Sequence, residues 1–514
     1  MTRNDKIAQS AAMIAIFTLI SKGLGFLREV FIASKFGSGM LTDTYFTAMT
    51  ATVIIMRSLG GALNTTLIPI FSEIKQNSGR EAQKRYLTNI LNLVFIITLV
   101  LAGISYFASP LIIKILAKGF QGDQFDLAVK LNRIGLPIVI LLGFTYVLSG
   151  YLQSNQIFGP HAIMGIPYNL IFIVYLLFLS KNANINGLMI VSVIAALSQV
   201  LIQVPATIHT GYSYTPSINL KDPYFYKAMG LVMPVLIGSA VHQINVIVDR
   251  TLASELVEGS ISALNYSARM NEMVISVFVA AITTVVFPML SQAFTENNKA
   301  ELKKIFNRST NIILLITVPA TVGIIILAKP MVRLFFERNA FSPEATVMTA
   351  GALMFYSMGL VGSSLRLMLN KVFYSFQDTV TPMINGAISV MINVILNLIL
   401  IRKMNHNGLA LATSISATIT TILLFIDLRK KIGRIGIRRI IITFMKCLIS
   451  ATIMGVAVYL TYFKLGSYLP DRKLIDIIML LVSVGLGVIV YFGLCLVLKV
   501  KELRDLMKRT IGEQ

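Results

Sequence analysis

LTNILNLVFIITLVLAGI, residues 87–104, contains no charged side chain, and the next charge downstream is Lys114. The hydrocarbon core of a bilayer takes about 20 apolar residues of helix to cross, so this stretch reads as a membrane span. Its apolar residues do not alternate with polar ones in a period of two, which excludes a strand of a transmembrane barrel. Hydrocarbon offers no water to backbone N–H and C=O groups, and a helix is the structure that satisfies them within one segment.

Similar runs recur in both directions. Of 514 residues, 55% are hydrophobic and 13% charged, whereas a soluble domain carries roughly 25% charged residues. Apolar runs begin near residues 7, 41, 87, 131, 162, 186, 226, 261, 309, 344, 382, 408, 440 and 473, giving about fourteen spans. The first, Ile7 to Ile20, follows Arg3 and Lys6 and resembles a secretory signal. No small-residue cleavage site in a polar flank follows it, so it is read as a retained span. Cys447 and Cys495 lie inside late apolar runs, which leaves no disulfide framework.

The net charge of +22 would suggest nucleic acid in a soluble protein. Here the cations cluster in alternate loops, among them Lys75, Arg80, Lys84 and Arg85; Lys299, Lys303, Lys304 and Arg308; Arg429 to Arg439; and Lys499 to Arg509. No aromatic residues interleave them as a base-stacking platform needs. By the positive-inside rule these loops are cytoplasmic. Both termini then lie inside, and the number of spans is even.

A duplication organises the spans. Leu67-Ile68-Pro69-Ile70-Phe71-Ser72 returns as Val286-Phe287-Pro288-Met289-Leu290-Ser291 at an offset of 219. Asn186-Gly187-Leu188 returns as Asn407-Gly408-Leu409 at 221, and the pattern from Tyr151 to Pro160 returns from Phe373 to Pro382 at 222. Three landmarks in order at one spacing predict a duplicated bundle. The expected fold is all-α: two six-helix lobes, 1–210 and 225–430, joined by a cytoplasmic linker at 211–224. Helices 13 and 14 with a basic tail fill 431–514. Six spans per copy give both copies one orientation, a parallel repeat of the kind transporters use.

Ionisable groups inside spans cost about 2.5 to 3.5 kcal/mol each on insertion scales, so each one marks a functional candidate. Lys22, Arg28 and Glu29 lie in span one beside Gly23 and Gly25. In span two, Asp43, Thr47, Thr50, Arg57, Gly61 and Asn64 fall on one face at 100° per residue. Span eight repeats such a stripe with Ser262, Asn265, Arg269, Ser276 and Thr283, and Glu272 is three residues from Arg269. Bases outnumber acids, so an anion is the expected cargo, and a pyrophosphate headgroup suits Arg and Lys. The competing reading makes Arg269 with Glu272, and Arg28 with Glu29, ion pairs that hold helices. A second polar set joins His242, Asn245 and Asp249 of span seven with Asn393, Asn397 and Thr413 of spans eleven and twelve. It reads as oxygen ligands for a monovalent cation or as interhelical hydrogen bonding. No Gly-rich loop ending in Lys-Ser/Thr is present, and no His/Cys metal spacing.

Three motifs resemble one family. They are Ser21-Lys22-Gly23-Leu24-Gly25-Phe26-Leu27-Arg28-Glu29 with Phe36-Gly37 and Thr42-Asp43; Tyr266 to Glu272; and Phe373-Tyr374-Ser375-Phe376-Gln377-Asp378 with Thr381-Pro382. Together they are similar to the MurJ (MviN) family of lipid II flippases, within the multidrug/oligosaccharidyl-lipid/polysaccharide exporter superfamily, over nearly the whole chain. The resemblance implies alternating access, with Lys22, Arg28, Arg57 and Arg269 as cations receiving the pyrophosphate-sugar headgroup and Asp43, Ser262 and Glu272 as further positions of interest. Lys22 stands where relatives often have Arg, and Arg57 aligns only across a one-residue gap. The resemblance also implies a sodium site of Asp249, Asn393, Asn397, the Leu409 carbonyl and Thr413, in which Asn397 replaces a carboxylate.

The sequence reading is therefore a transporter, not an enzyme, in the bacterial inner membrane. It flips the polyprenyl-pyrophosphate precursor lipid II, works as a monomer among membrane lipids, and has the cell-wall synthesis machinery as an expected associate. No cofactor is expected beyond a sodium ion, and no nucleic acid. The alternatives are a flippase for another polyprenyl-linked glycan, such as a teichoic-acid, capsule or O-unit precursor, and, ranked below it, a membrane glycan polymerase.

Overall fold

The computed structural model describes residues 3–178, 184–465 and 473–505, and these contain helices and no strands. Lys508 and Arg509 of the basic tail lie outside them, as do the side chains of His242 and of residues 3–12. Contacts group the chain into two compact units, Met1–Ser262 with Asn339–Phe341, and Ala263–Arg338 with Ser342–Gln514.

The first unit contains α1 (Arg3–Phe36), α2 (Met40–Leu116), α3 (Gly122–Gly135), α4 (Pro137–Ser154), α5 (Gly159–Ile163), α6 (Gly165–Phe178), α7 (Ile185–Leu201), α8 (Val204–His209) and α9 (Pro223–Ser254). A straight helix of the length of α2 would reach about 115 Å, several times a bilayer core. It is broken at Gly79, whose φ of 82° and ψ of 177° suit only glycine. Beyond that point the chain returns along itself. The rings of Phe71 and Tyr86 are 5.5 Å apart, and Gln83 Nε2 donates to the Phe71 carbonyl at 3.0 Å. Phe71, Tyr86 and Tyr151 head the core between the two halves of α2 and α4. The linker is tied to the second half of α2: Asn89 exchanges two hydrogen bonds with Asn219, and Asn92 bonds Ser217 and Tyr214.

The second unit contains most of α10 (Ser260–Val274), which runs through a π-helical turn, Ile275–Val279, into α11 (Ala280–Thr295). Then come α12 (Lys299–Phe336), α13 (Pro343–Met358), α14 (Leu360–Ser375), α15 (Val380–Met404), α16 (His406–Ile432), α17 (Ile437–Tyr459) and α18 (Lys473–Val497). Its core joins Phe306, Leu314, Val372, Phe373, Leu424, Cys447, Tyr491 and Cys495. The last two helices share that core rather than standing apart from it. Tyr491 OH donates to the Leu315 carbonyl at 3.0 Å, and Gly455 lets α17 approach α12 so closely that a Cβ would meet Ile326 at 2.7 Å.

Ten helical stretches among the described residues are long and apolar enough to cross a membrane, eleven when α13 and α14, bent by 47°, form one broken span. One of the ten, Met56–Leu116, contains the break at Gly79. The expected fourteen spans are consistent with this count without being fixed by it. The duplication is visible in backbone geometry. Gln156 and Gln377 both take positive φ, 62° and 59°. Each is followed by the same closing bond, Ile157 N to Leu152 O at 2.9 Å and Asp378 N to Phe373 O at 3.0 Å, the helix-ending bond that reaches five residues back.

Candidate functional site

Arg28 of α1 is held from three sides. Its Nη2 donates to Glu29 Oε1 at 2.6 Å and its Nη1 to Asn169 Oδ1 at 3.1 Å, while its guanidinium lies 5.5 Å from the Tyr168 ring and 5.2 Å from that of Phe172. Asn169 is itself fixed by donating to the carbonyls of Ser21 and Gly165. Glu29 is buried, and Arg28 keeps a narrow exposed margin of 16%. Among the described residues Arg28 Nε and Glu29 Oε2 have no partner, so the pair leaves one donor and one acceptor unused. Lys22, two turns earlier, is exposed.

The polar stripe of span two divides in the structure. Asp43, Thr47 and Thr50 are buried, whereas Arg57 and Gly61 are exposed. Asp43 explains the buried part. Its Oδ1 accepts from Ser262 N and Ser262 Oγ, and its Oδ2 from Gly259 N, all at 2.7 Å. A carboxylate on α2 thereby caps the N-terminus of α10, where unsatisfied N–H groups and the helix dipole favour negative charge. Ser38 Oγ lies 2.8 Å from Ser262 Oγ and completes the clasp.

In the second unit Arg269 Nη1 donates to Glu272 Oε2 at 2.9 Å. Both side chains stay open, at 41% and 51%, so the pair is a weak constraint and the guanidinium remains accessible. The π-helical turn begins three residues after Glu272. It adds a residue to the helical turn and rotates the helix beyond it, so the 100° per residue that places Thr283 on a stripe with Ser262 and Arg269 does not hold across it. Thr283 is buried, as is Ser262.

The family model for MurJ, the lipid II flippases, matches residues 32–472. The chain belongs to the MurJ family of lipid II flippases. A probable lipid II flippase MurJ of Rickettsia prowazekii (strain Madrid E) is 30% identical over 96% of this chain and 98% of its own. One from Vibrio cholerae serotype O1 is 30% identical over 99% of both. A solved lipid II flippase MurJ in an inward closed conformation, 26% identical, superimposes with a TM-score of 0.80 over 96% of this chain and 100% of its own. An inward-facing multidrug resistance MATE family transporter of the MOP superfamily shares the fold at a TM-score of 0.68 and 13% identity, over 82% of this chain and 98% of its own. MurJ proteins are transporters, and this chain is a multi-pass membrane protein of that family.

For a MurJ chain the cation-ligand set is informative. Asn393 Nδ2 donates to Thr413 Oγ1 at 3.3 Å and to Ser416 Oγ at 3.4 Å. Asn397 Nδ2 donates to Asn393 Oδ1 at 2.9 Å, and Thr413 Oγ1 to the Leu409 carbonyl at 3.0 Å. The second unit thus gathers four of the five expected ligands in one hydrogen-bonded cluster. Asp249 belongs to the first unit, where its Oδ2 accepts from Asn245 at 3.1 Å.

The sequence reading missed Asn169, Tyr168 and Phe172, which hold Arg28, and it missed Arg366, a half-buried cation on α14. The cost of an intramembrane charge would have singled out Arg366. An amide beside an aromatic pair in an apolar run gives no comparable signal.

Proposed function

We propose that this chain carries lipid II, the undecaprenyl-pyrophosphate-linked peptidoglycan precursor, from the cytoplasmic to the outer leaflet of the bacterial inner membrane by alternating access. The observation that carries the reading is full-length kinship: the curated relatives, matched from end to end, bear the lipid II flippase name. They do not favour a flippase for another polyprenyl-linked glycan. Lys22, Arg28, Arg57 and Arg269 receive the pyrophosphate, with Asp43, Ser262 and Glu272 as further residues of the substrate site. The exposed guanidinium of Arg269 supports its part in this, because a planar fork suits bidentate contact with phosphate oxygens. Both termini lie in the cytoplasm, as the charge bias of the loops suggests. The chain acts as a monomer and delivers to the cell-wall synthesis machinery.

The membrane potential drives the cycle, at about 2.3 kcal/mol per charge through 100 mV. A sodium ion bound by Asp249, Asn393, Asn397, the Leu409 carbonyl and Thr413 resets it. The donors fit: all are hard oxygens, suited to an alkali cation rather than a transition metal, and no cluster of three His, Cys, Asp or Glu occurs among the described residues. Such an ion would supply positive charge to offset the Asp249 carboxylate. Titrating the purified chain with lipid II tests the binding step. The parent should bind, and Arg269→Ala should weaken binding by about tenfold or more; equal binding by both would remove Arg269 from the site.

A further inference from the structure

The bases of the last two helices form a cationic hollow that contains none of the residues assigned above to lipid II. Gly436, Arg438, Arg439, Ile442, Lys446, Lys499 and Lys501 surround a cavity of about 620 Å³. The cations come from two elements, the first turns of α17 and the segment after α18. Lys446 Nζ donates to the Lys499 carbonyl at 3.4 Å and ties the two together. The lining carboxylate, Glu502, is engaged elsewhere, accepting from Asn311 Nδ2. Among the described residues no acid pairs with Arg438, Arg439, Lys499 or Lys501. The N-terminus of α17 opens onto the same hollow. Its preceding residue, Gly436, is left-handed (φ 72°) and has no side chain to cap the helix; Arg439 N–H already donates to the Gly436 carbonyl at 2.9 Å, which leaves the N–H groups of Ile437 and Arg438 to face an anion.

We propose that this hollow binds the phosphodiester headgroup of an anionic phospholipid. Charge alone would admit any phosphate. The lipid is selected by the helix surface bordering the hollow: Ile442, Met445 and Ile449 follow Arg438 along one stripe of α17 and are 46%, 47% and 49% exposed. A phosphate held at Arg438 and Arg439 therefore has its acyl chains laid along an apolar helix face, the arrangement an amphiphile needs and a free anion does not. Basic pockets between membrane helices hold lipid headgroups in this manner. Since the cations come from both helices, a bound lipid bridges α17 to α18 at their base. The site is separate from the residues assigned to lipid II and stands whether or not the chain flips it.

The test is native mass spectrometry of the full-length chain in detergent, titrated separately with phosphatidylglycerol and phosphatidylethanolamine, with inorganic phosphate as competitor. Phosphatidylglycerol should be retained, phosphatidylethanolamine much less, and millimolar phosphate should displace little of it. The R438Q/R439Q/K501Q variant should lose about tenfold or more in phosphatidylglycerol affinity. R80Q/R85Q/K299Q, which removes equal charge from other loops, should lose little. K501Q alone, on an exposed side chain, gives a smaller loss in the same direction and keeps the test open should the triple variant misfold. Equal retention of both lipids, equal loss in the two triple variants, or no loss in any variant overturns the proposal. Full displacement by phosphate overturns it as well, in favour of a free-anion site.

Discussion

Arg28 and Glu29 are adjacent in sequence and paired at 2.6 Å in the interior of the first unit. Breaking a buried pair on one side leaves an uncompensated charge, which costs about 3 to 5 kcal/mol. Glu29→Ala should therefore depress the melting temperature of the solubilised chain strongly, while Arg28→Ala combined with Glu29→Ala should recover much of that loss and remain inactive. A double variant that stays as unstable as the single one would show that the pair is not what Glu29 maintains. Asp43→Asn turns one acceptor oxygen into a donor facing Gly259 N–H, a loss of about 1 to 3 kcal/mol measurable by the same melt. At this scale the sequence was only partly legible. It singled out Asp43 and Ser262 as members of two separate polar stripes, but their contact joins residues 219 positions apart and no periodicity encodes it. It likewise left Arg28 undecided between ion pair and cargo ligand, because Asn169 and the two rings that flank it come from another helix.

Single helices were more legible, since their signals are local. Pro69 and Pro288, and Asn186 and Asn407, recur in sequence, and the turns at Gln156 and Gln377, 221 residues apart, recur in backbone form, one residue off the 222 spacing read from Tyr151 and Phe373. The π-helical turn after Glu272 was not legible, since an inserted residue leaves no mark in a run of apolar side chains. At Gly79 a Cβ would meet nothing within 4 Å, yet its φ of 82° is unfavourable for any other residue. Gly79→Ala should thus cost about 1 to 3 kcal/mol through the backbone alone, whereas Gly61→Ala, equally open and with ordinary helical φ, should not; thermal melts of the two variants compare them directly. Asp378 at the start of α15 offers a pH test. Partial burial pushes its carboxyl up, but hydrogen bonds from Lys431 and Thr381 outweigh that and hold it down at about 2, against 3.8. With the folded pKa below the unfolded one, the stabilisation is complete above about pH 4 and fades as pH falls through 2. Asp378→Asn should lower the melting temperature at pH 7 and flatten its dependence below pH 4; a parallel downward shift at every pH would contradict this.

For the whole molecule, hydropathy and the 219-to-222 offset already implied a duplicated helical transporter, because membrane solvation constrains every span in the same way. Cargo is a different matter: excess cations imply an anion, and only kinship with named flippases narrows it to lipid II. The most direct measurement uses bacteria depleted of their own lipid II flippase, expressing this chain or its Arg269→Ala variant. The quantity scored is lipid II exposed to an externally added enzyme that cleaves it. Restored exposure with the parent and little with an equally expressed variant is the expected result. A well-folded parent that restores none would contradict lipid II flipping.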